Sequence, residues 1–266
     1  MPIDIAASFS FGLSEPTDVL LQFEAARIPE QRILSSECRL STAEKLVRVP
    51  AQDGIGERVW LRAEGVYEVE YRARVSVGRM LPDLAGLDWL QPHALPGETV
   101  QYLFDSRYCP ATRFHPFVTA EFADLEGGAL IAAMRDWVAG NFSYEPGSSN
   151  SNTTALDSFV ERRGICRDYT HVMVTLARAA SIPARYVSVY APGVEPPDFH
   201  AVAEVFLADH TIVGGGAWHL VDATGMADPE HMVKIGVGRD AADVSFMTVF
   251  GMAEFREKDV RVTLSP

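Results

Sequence analysis

The 266-residue chain is poor in cysteine: it has three, Cys38, Cys109 and Cys166, an odd number at wide spacing. That builds no disulfide framework and suits a reducing compartment, so a cytoplasmic protein is expected. No run approaches the roughly eighteen consecutive apolar residues of a membrane helix, so no membrane partner is expected. The opening MPIDIAASFSFGLSEPTD lacks the basic start of a secretory signal and soon carries Glu15 and Asp18. Positive charge is scarce as well: 23 Lys and Arg stand against 36 Asp and Glu, a formal net charge of −13. Such a chain repels phosphate backbones, which argues against nucleic acid as a partner. The seven histidines and three cysteines make no H-x-x-x-H or C-x-x-C pair, so neither a metal nor a cofactor is expected. The glycine clusters VGGGAW and GVGRD match neither a phosphate loop nor a dinucleotide fingerprint and read as turns.

What is present is ordinary globular material, 47% hydrophobic and 22% charged, enough for one large domain or two modest ones. Residues 1–97 read as strands. DVLLQFE, QRILSSECRLS, ERVWLRAEG and VYEVEYRARVSV carry alternation or β-branched and aromatic enrichment, with turn chemistry at Gly54 and Gly56. This predicts a β-rich, sandwich-like domain without catalytic residues. Residues 98–266 read as an α+β domain. GGALIAAMRDWVAGNFSY spaces Leu130, Ala133, Met134, Trp137 and Val138 as a helix, and TTALDSFVERRG as a shorter one with a Thr near its N-cap and Gly164 as terminator. Beyond Pro183, strands return as ARYVSVYAP, HAVAEVFLA, AWHLVDAT and DVRVTLSP.

The stretch RRGICRDYTHVMVTLARAA puts Cys166 two residues after Gly164, at the start of a helix with an apolar stripe of Tyr169, Val172, Met173, Leu176 and Ala180. A buried structural thiol needs no such position. A nucleophile gains from it, because the positive end of a helix favours thiolate. It needs a base within hydrogen-bond reach and a group that orients the base. His200 begins one predicted strand and Asp222 ends the next, so antiparallel pairing brings them to one edge of a sheet. Alternation turns His219 away from Asp222, and His210 reads as a loop residue.

Each of these residues alone is ordinary. Together, in this order, RRGICRDYTHVMVTLARAASIPARYVSVY, DFHAVAEVFL and AWHLVDAT closely resemble the transglutaminase-like superfamily of cysteine enzymes over roughly residues 130 to 225. The resemblance implies a papain-like or transglutaminase-like α+β core, a Cys-bearing helix packed on an antiparallel sheet. The β-rich N-terminal unit looks like the companion domain of bacterial members. The resemblance further implies Cys166 as nucleophile, His200 as base and Asp222 as its orienter, acting on an amide of a peptide or protein through a thioester. Hydrolysis (a peptidase or amidase) is the first expectation. Amine transfer to glutamine, or a non-catalytic peptide-binding module on the same fold, are the others. The calcium loops of animal cross-linking members have no counterpart here. An oxyanion site needs the Cys166 backbone N–H and a side-chain donor, with Asn141, Tyr144 and Trp137 as candidates. Asp168 and His171 recur in bacterial relatives and are expected to be structural or substrate-facing.

Overall fold

The computed structural model describes residues 1–209, 211–212 and 215–265; His210 lies outside them. Alternation governs the first half of the chain. β1 (Ile3–Leu21) buries Ile3, Ile5, Ala7, Phe9, Phe11 and Leu13 on one face, and continues through a bulge to Val19 and Leu21. Each large inward side chain contributes roughly 1.5–3 kcal/mol of apolar burial. β2 (Gln31–Leu40) and β3 (Lys45–Pro50) both pair antiparallel with β4 (Glu57–Val77), which runs along the whole of β1. ERVWLRAEG and VYEVEYRARVSV are thus one strand, which passes through Gly65 at a φ of +79°.

The helical region follows. It comprises α1 (His115–Glu121), α2 (Gly127–Asn141), β5 (Ser143–Tyr144), α3 (Ala155–Glu161), β6 (Arg163–Gly164) and α4 (Cys166–Ala179). A second antiparallel sheet is built from β7 (Ala184–Tyr190), β8 (His200–Ala208), β9 (Gly216–Val221) and β10 (Val233–Gly238), in the order β10-β7-β8-β9. From α4, Val172, Met173, Leu176 and Ala177 pack in one core with Ala203, Val205 and Leu207 of β8. A helix bearing Cys166 on an antiparallel sheet is the expected α+β core.

Two expectations change. GVGRD is not only a turn, because Gly236 and Gly238 belong to β10. A Cβ on Gly236 would come within 1.8 Å of the Gln22 side chain, so glycine lets β1's end approach the second sheet. The division at residue 97 also fails to describe the first sheet. After α5 (Ala241–Val244), β11 (Met247–Val249) and β12 (Glu254–Leu264) return to pair with β1, so DVRVTLSP completes the sheet begun at the N-terminus. The result is one six-stranded sheet. Its inner face gathers β1, β4 and Val260 of β12 in a single core, together with Tyr190 and Val233 from the second sheet.

Buried charge joins the two sheets. Glu204 of β8, wholly buried, accepts from Arg185 Nε at 2.8 Å and Lys234 Nζ at 2.5 Å. Lys234 continues to Glu30 at 2.8 Å, and Arg185 to Asp53 at 3.0 Å. Burial alone would raise the Glu204 pKa, but Lys234 and Arg185 outweigh it and lower it to about 2. At the other end of α4, buried Arg178 donates to the carbonyls of Ala184 (2.9 Å), Phe104 (3.0 Å) and Arg239 (2.6 Å) and to Ser106 Oγ (3.1 Å). That guanidinium ties the segment before α1 to the second sheet.

Candidate active site

The start of α4 is shaped by contacts just before it. α3 begins with a reciprocal cap: Thr154 N–H donates to Asp157 Oδ2 at 2.8 Å, and Asp157 N–H to Thr154 Oγ1 at 3.4 Å. It ends not at Gly164 but at Arg162, which adopts a left-handed φ of 58°. The guanidinium of Arg162 then lies 4.2 Å over the Phe159 ring and 4.4 Å over Trp137. Gly164 has a different purpose: a Cβ there would fall 2.5 Å from the Asp168 Cβ. Asp168, wholly buried, accepts from Ile165 N–H at 2.8 Å and Ser149 Oγ at 2.5 Å, and pairs with Arg167 at 3.1 Å. These contacts fix the helix start on which Cys166 sits.

His200 is the first residue of β8, and Asp222 directly follows β9, at the same end of the antiparallel pair. His200 Nε2 donates to Asp222 Oδ2 at 3.0 Å. Asp222 is itself held: Oδ1 accepts from Thr224 N–H at 2.8 Å and Thr224 Oγ1 at 2.7 Å, and Oδ2 also accepts from Ala227 N–H at 3.1 Å. This leaves His200 Nδ1, which is buried and makes no hydrogen bond of full geometry among the described residues. Cys166 lines the same cleft as His200. Burial opposes charge on the ring and is the largest single influence. Asp222 and Cys166, through hydrogen bonding and charge, outweigh it and raise the His200 pKa to about 9. Burial likewise works against the Asp222 carboxylate, and His200 and Thr224 together lower its pKa below the usual value.

Tyr144 completes the cluster. The two-residue pairing of β5 with β6 sets it beside Gly164, with Ser143 N–H donating to Arg162 O and Glu145 N–H to Gly164 O, both at 2.9 Å. Burial and then the Cys166 sulfur push its phenol upward, while the Cys166 backbone N–H bonds it and draws it down; the net shift is upward. Tyr144, Cys166 and His200 share a cleft of about 570 Å³. β11, β12 and the segment before them supply another wall through Phe246, Met247, Thr248 and Lys258, so the first sheet contributes to the cleft directly.

The other sequence candidates lie elsewhere. Asn141 is exposed, its amide donating to Trp137 O at 2.8 Å. Trp137 stacks on Phe159 at 5.4 Å between rings, within an aromatic cluster. Neither lines the cleft, because helix packing claimed both side chains. His171 is wholly buried, stacked 5.0 Å from Tyr108, and accepts from Ala241 N–H at 3.2 Å. Burial, then the charge of Arg167, lowers its pKa to about 3. It is buried and is not among the residues that line the cleft. His219 is half-buried on β9 and is not among the residues that line the cleft.

A second cavity of about 580 Å³ lies on the first sheet and includes Glu24, Cys38, Arg48 and Tyr71. Arg48 and Glu24 satisfy each other in a bidentate pair at 2.5 and 2.8 Å. Burial and Glu24 raise the Cys38 thiol to about 12, which keeps it protonated. Cys109, also buried, is raised to about 11, first by burial. Among the described residues, one trio brings metal-ligating atoms within 4.8 Å of one another: Asp228, Glu230 and His231 on a surface turn. Asp228 Oδ1 already accepts Glu230 N–H at 2.9 Å there, and the trio is remote in sequence from Cys166.

Residues 119–223 match the transglutaminase-like superfamily. The uncharacterized protein ML0607 of Mycobacterium leprae is 31% identical over 121 residues, 44% of this chain and 42% of ML0607. Rv2569c of Mycobacterium tuberculosis is 30% identical over 129 residues, 43% of this chain and 40% of its own. The matches therefore span about two fifths of these curated relatives. A candidate cysteine protease from Cytophaga hutchinsonii, solved by crystallography, superposes with a TM-score of 0.90 at 31% identity, over 99% of this chain and 90% of that one. None of the described helices is long and apolar enough to cross a membrane. The chain belongs to the transglutaminase-like superfamily.

Proposed function

We propose that the protein is a cysteine-nucleophile acyl-transfer enzyme that cleaves amide bonds of peptides or proteins. The observation that carries this reading is the bonding of His200: one ring nitrogen is spent on Asp222 at 3.0 Å, and the other remains for the Cys166 side of an open cleft. The likeness to a candidate cysteine protease over nearly the whole chain supports it.

In this mechanism the Cys166 thiolate attacks the amide carbonyl, and a C–S bond forms as the carbonyl electrons move to oxygen. The Cys166 backbone N–H, at the positive end of α4, and the Tyr144 hydroxyl stabilise that oxyanion. Collapse breaks the C–N bond, and His200 Nδ1 donates its proton to the leaving amine. The now neutral ring takes a proton from water as water attacks the thioester, releasing the acid and restoring Cys166. Asp222 holds the ring tautomer throughout and stabilises its charged form. Three free thiols suit a reducing compartment, and a cytoplasmic location belongs to this reading.

The test is to incubate the protein with a peptide-amide library, quench in acid, and weigh the intact protein. The reading expects an acyl adduct on Cys166 that disappears with time as free acid appears, and that is absent in Cys166→Ala. Product amide in place of acid, in the presence of a primary amine, would shift the outcome to amine transfer. No adduct with any peptide, alongside capture of unmodified peptide, would favour a binding module.

A further inference from the structure

The acyl-transfer chemistry leaves the charge of the cleft unexplained. The chain as a whole is strongly acidic, at −13. Its cleft is not: apart from His200, the charged side chains lining it are Arg107, Arg167 and Lys258 against a single acid, Asp198. That acid is already claimed, because Lys258 of β12 donates to it. Arg167 is held by Asp168 at 3.1 Å and by Asn150 O at 2.8 Å. Arg107 is different. It makes no ion pair among the described residues, and its guanidinium lies 5.0 Å over the Tyr108 ring.

The backbone that carries Arg107 is anchored on both sides. Ser106 Oγ and the Phe104 carbonyl accept from buried Arg178, at 3.1 and 3.0 Å. Tyr108 N–H donates to Asp240 Oδ2 at 3.0 Å, and the Tyr108 hydroxyl to Ser151 O at 2.8 Å. Stacking on an aromatic face leaves the edge of a guanidinium, with its paired donors, free to meet a planar anion. Arg107 is exposed, and an unpaired fork of this kind matches a carboxylate bidentately. A cleft with low-dielectric walls focuses such a field above its strength on a flat surface.

We propose that the cleft selects substrates bearing a carboxylate near the scissile amide, with Arg107 as its anchor. This rests on the acyl-transfer reading and adds the substrate class to it. Lys258 assists by neutralising Asp198, which would otherwise repel the same carboxylate. The carboxylate is either an acidic side chain or a free chain end.

The experiment compares Cys166 alkylation by iodoacetate and by iodoacetamide, two reagents with the same leaving group and a difference of one negative charge. Rates are read by peptide mapping at neutral pH and low salt. The ratio of iodoacetate to iodoacetamide rates is expected to exceed that of free cysteine, and to fall by roughly threefold to tenfold in Arg107→Glu. It should fall less in Lys258→Ala, and decline with added salt. Protection of Cys166 from iodoacetamide by an amidated peptide containing Glu assigns the anchor to a side chain. Protection by a Gln peptide with a free C-terminus assigns it to a chain end. Protection by neither, or a ratio unmoved by Arg107→Glu while iodoacetamide still reacts, overturns the proposal alone. A Cys166 inert to both reagents overturns the acyl-transfer reading and this one with it.

Discussion

Strand β8 carries two ionised clusters, one at His200 and one at Glu204, and they differ in what is left over. At Glu204 both carboxylate oxygens are engaged, by Arg185 and by Lys234, and those cations run on to Asp53 and Glu30. Nothing remains to bind a ligand, and the cluster acts as a joint between the sheets. At His200 one ring nitrogen is bonded and the other is not, and a cleft of about 570 Å³ adjoins it. Buried charge alone therefore does not mark a site. Unspent hydrogen-bonding capacity beside an open volume does.

The largest effect that would separate the two clusters is at Cys166. Cys166→Ala is expected to lower turnover by roughly 10⁴-fold or more, by analogy with removal of other nucleophiles, while its urea midpoint stays near the parent's. Next, Asp222→Asn should cost about 10²–10⁴ in kcat, because the ring loses its fixed tautomer and its counter-charge. Steady-state kinetics on the first cleaved substrate reads both.

Breaking the joint should do the converse. Glu204→Ala leaves Arg185 and Lys234 short of a buried partner and is expected to cost about 3–5 kcal/mol of stability in urea titration, with activity per folded molecule retained. The acid side sharpens this. Because the folded Glu204 pKa is lowered to about 2, its stabilisation is full above its ordinary value of 4.5 and is lost as pH falls towards 2. The parent's stability advantage over Glu204→Ala should therefore shrink below pH 4.5 and not above it. The smallest expected effect is at Asn141, whose amide bonds only its own helix. Asn141→Ala should change kcat/KM by less than about twofold, whereas Tyr144→Phe, which removes the proposed oxyanion donor, should lower kcat by about 10-fold or more.

Much of this was legible in the chain. The order of Cys166, His200 and Asp222, with a Gly before the helix and strands on either side, predicted which residues meet, since antiparallel pairing fixes strand ends relative to each other. Local contacts were read less well. That Tyr144, and not Asn141 or Trp137, lines the cleft could not be read, because a pairing of only two residues, β5 with β6, sets it there. Glu204, flanked by apolar residues in HAVAEVFLA, resembles an outward polar position. Its partners come from β7 and β10, and only tertiary structure brings them in. The first sheet was only partly visible for the same reason. Ile3 to Leu13 alternate cleanly, yet their neighbour on one side is β12, more than 200 residues away.

The central claim is that His200, charged at neutral pH, holds Cys166 ready as a nucleophile. The rate of iodoacetamide alkylation at Cys166 against pH, in the parent and in His200→Ala, tests it most directly. Since the His200 pKa is raised to about 9, the charged ring is present below that pH and lost above it. The account predicts that the parent reacts readily at pH 6 to 7, and that His200→Ala reacts only as pH approaches the ordinary thiol range of about 8.5. The two curves should converge above pH 9. A parent whose alkylation follows the same curve as His200→Ala throughout would contradict it.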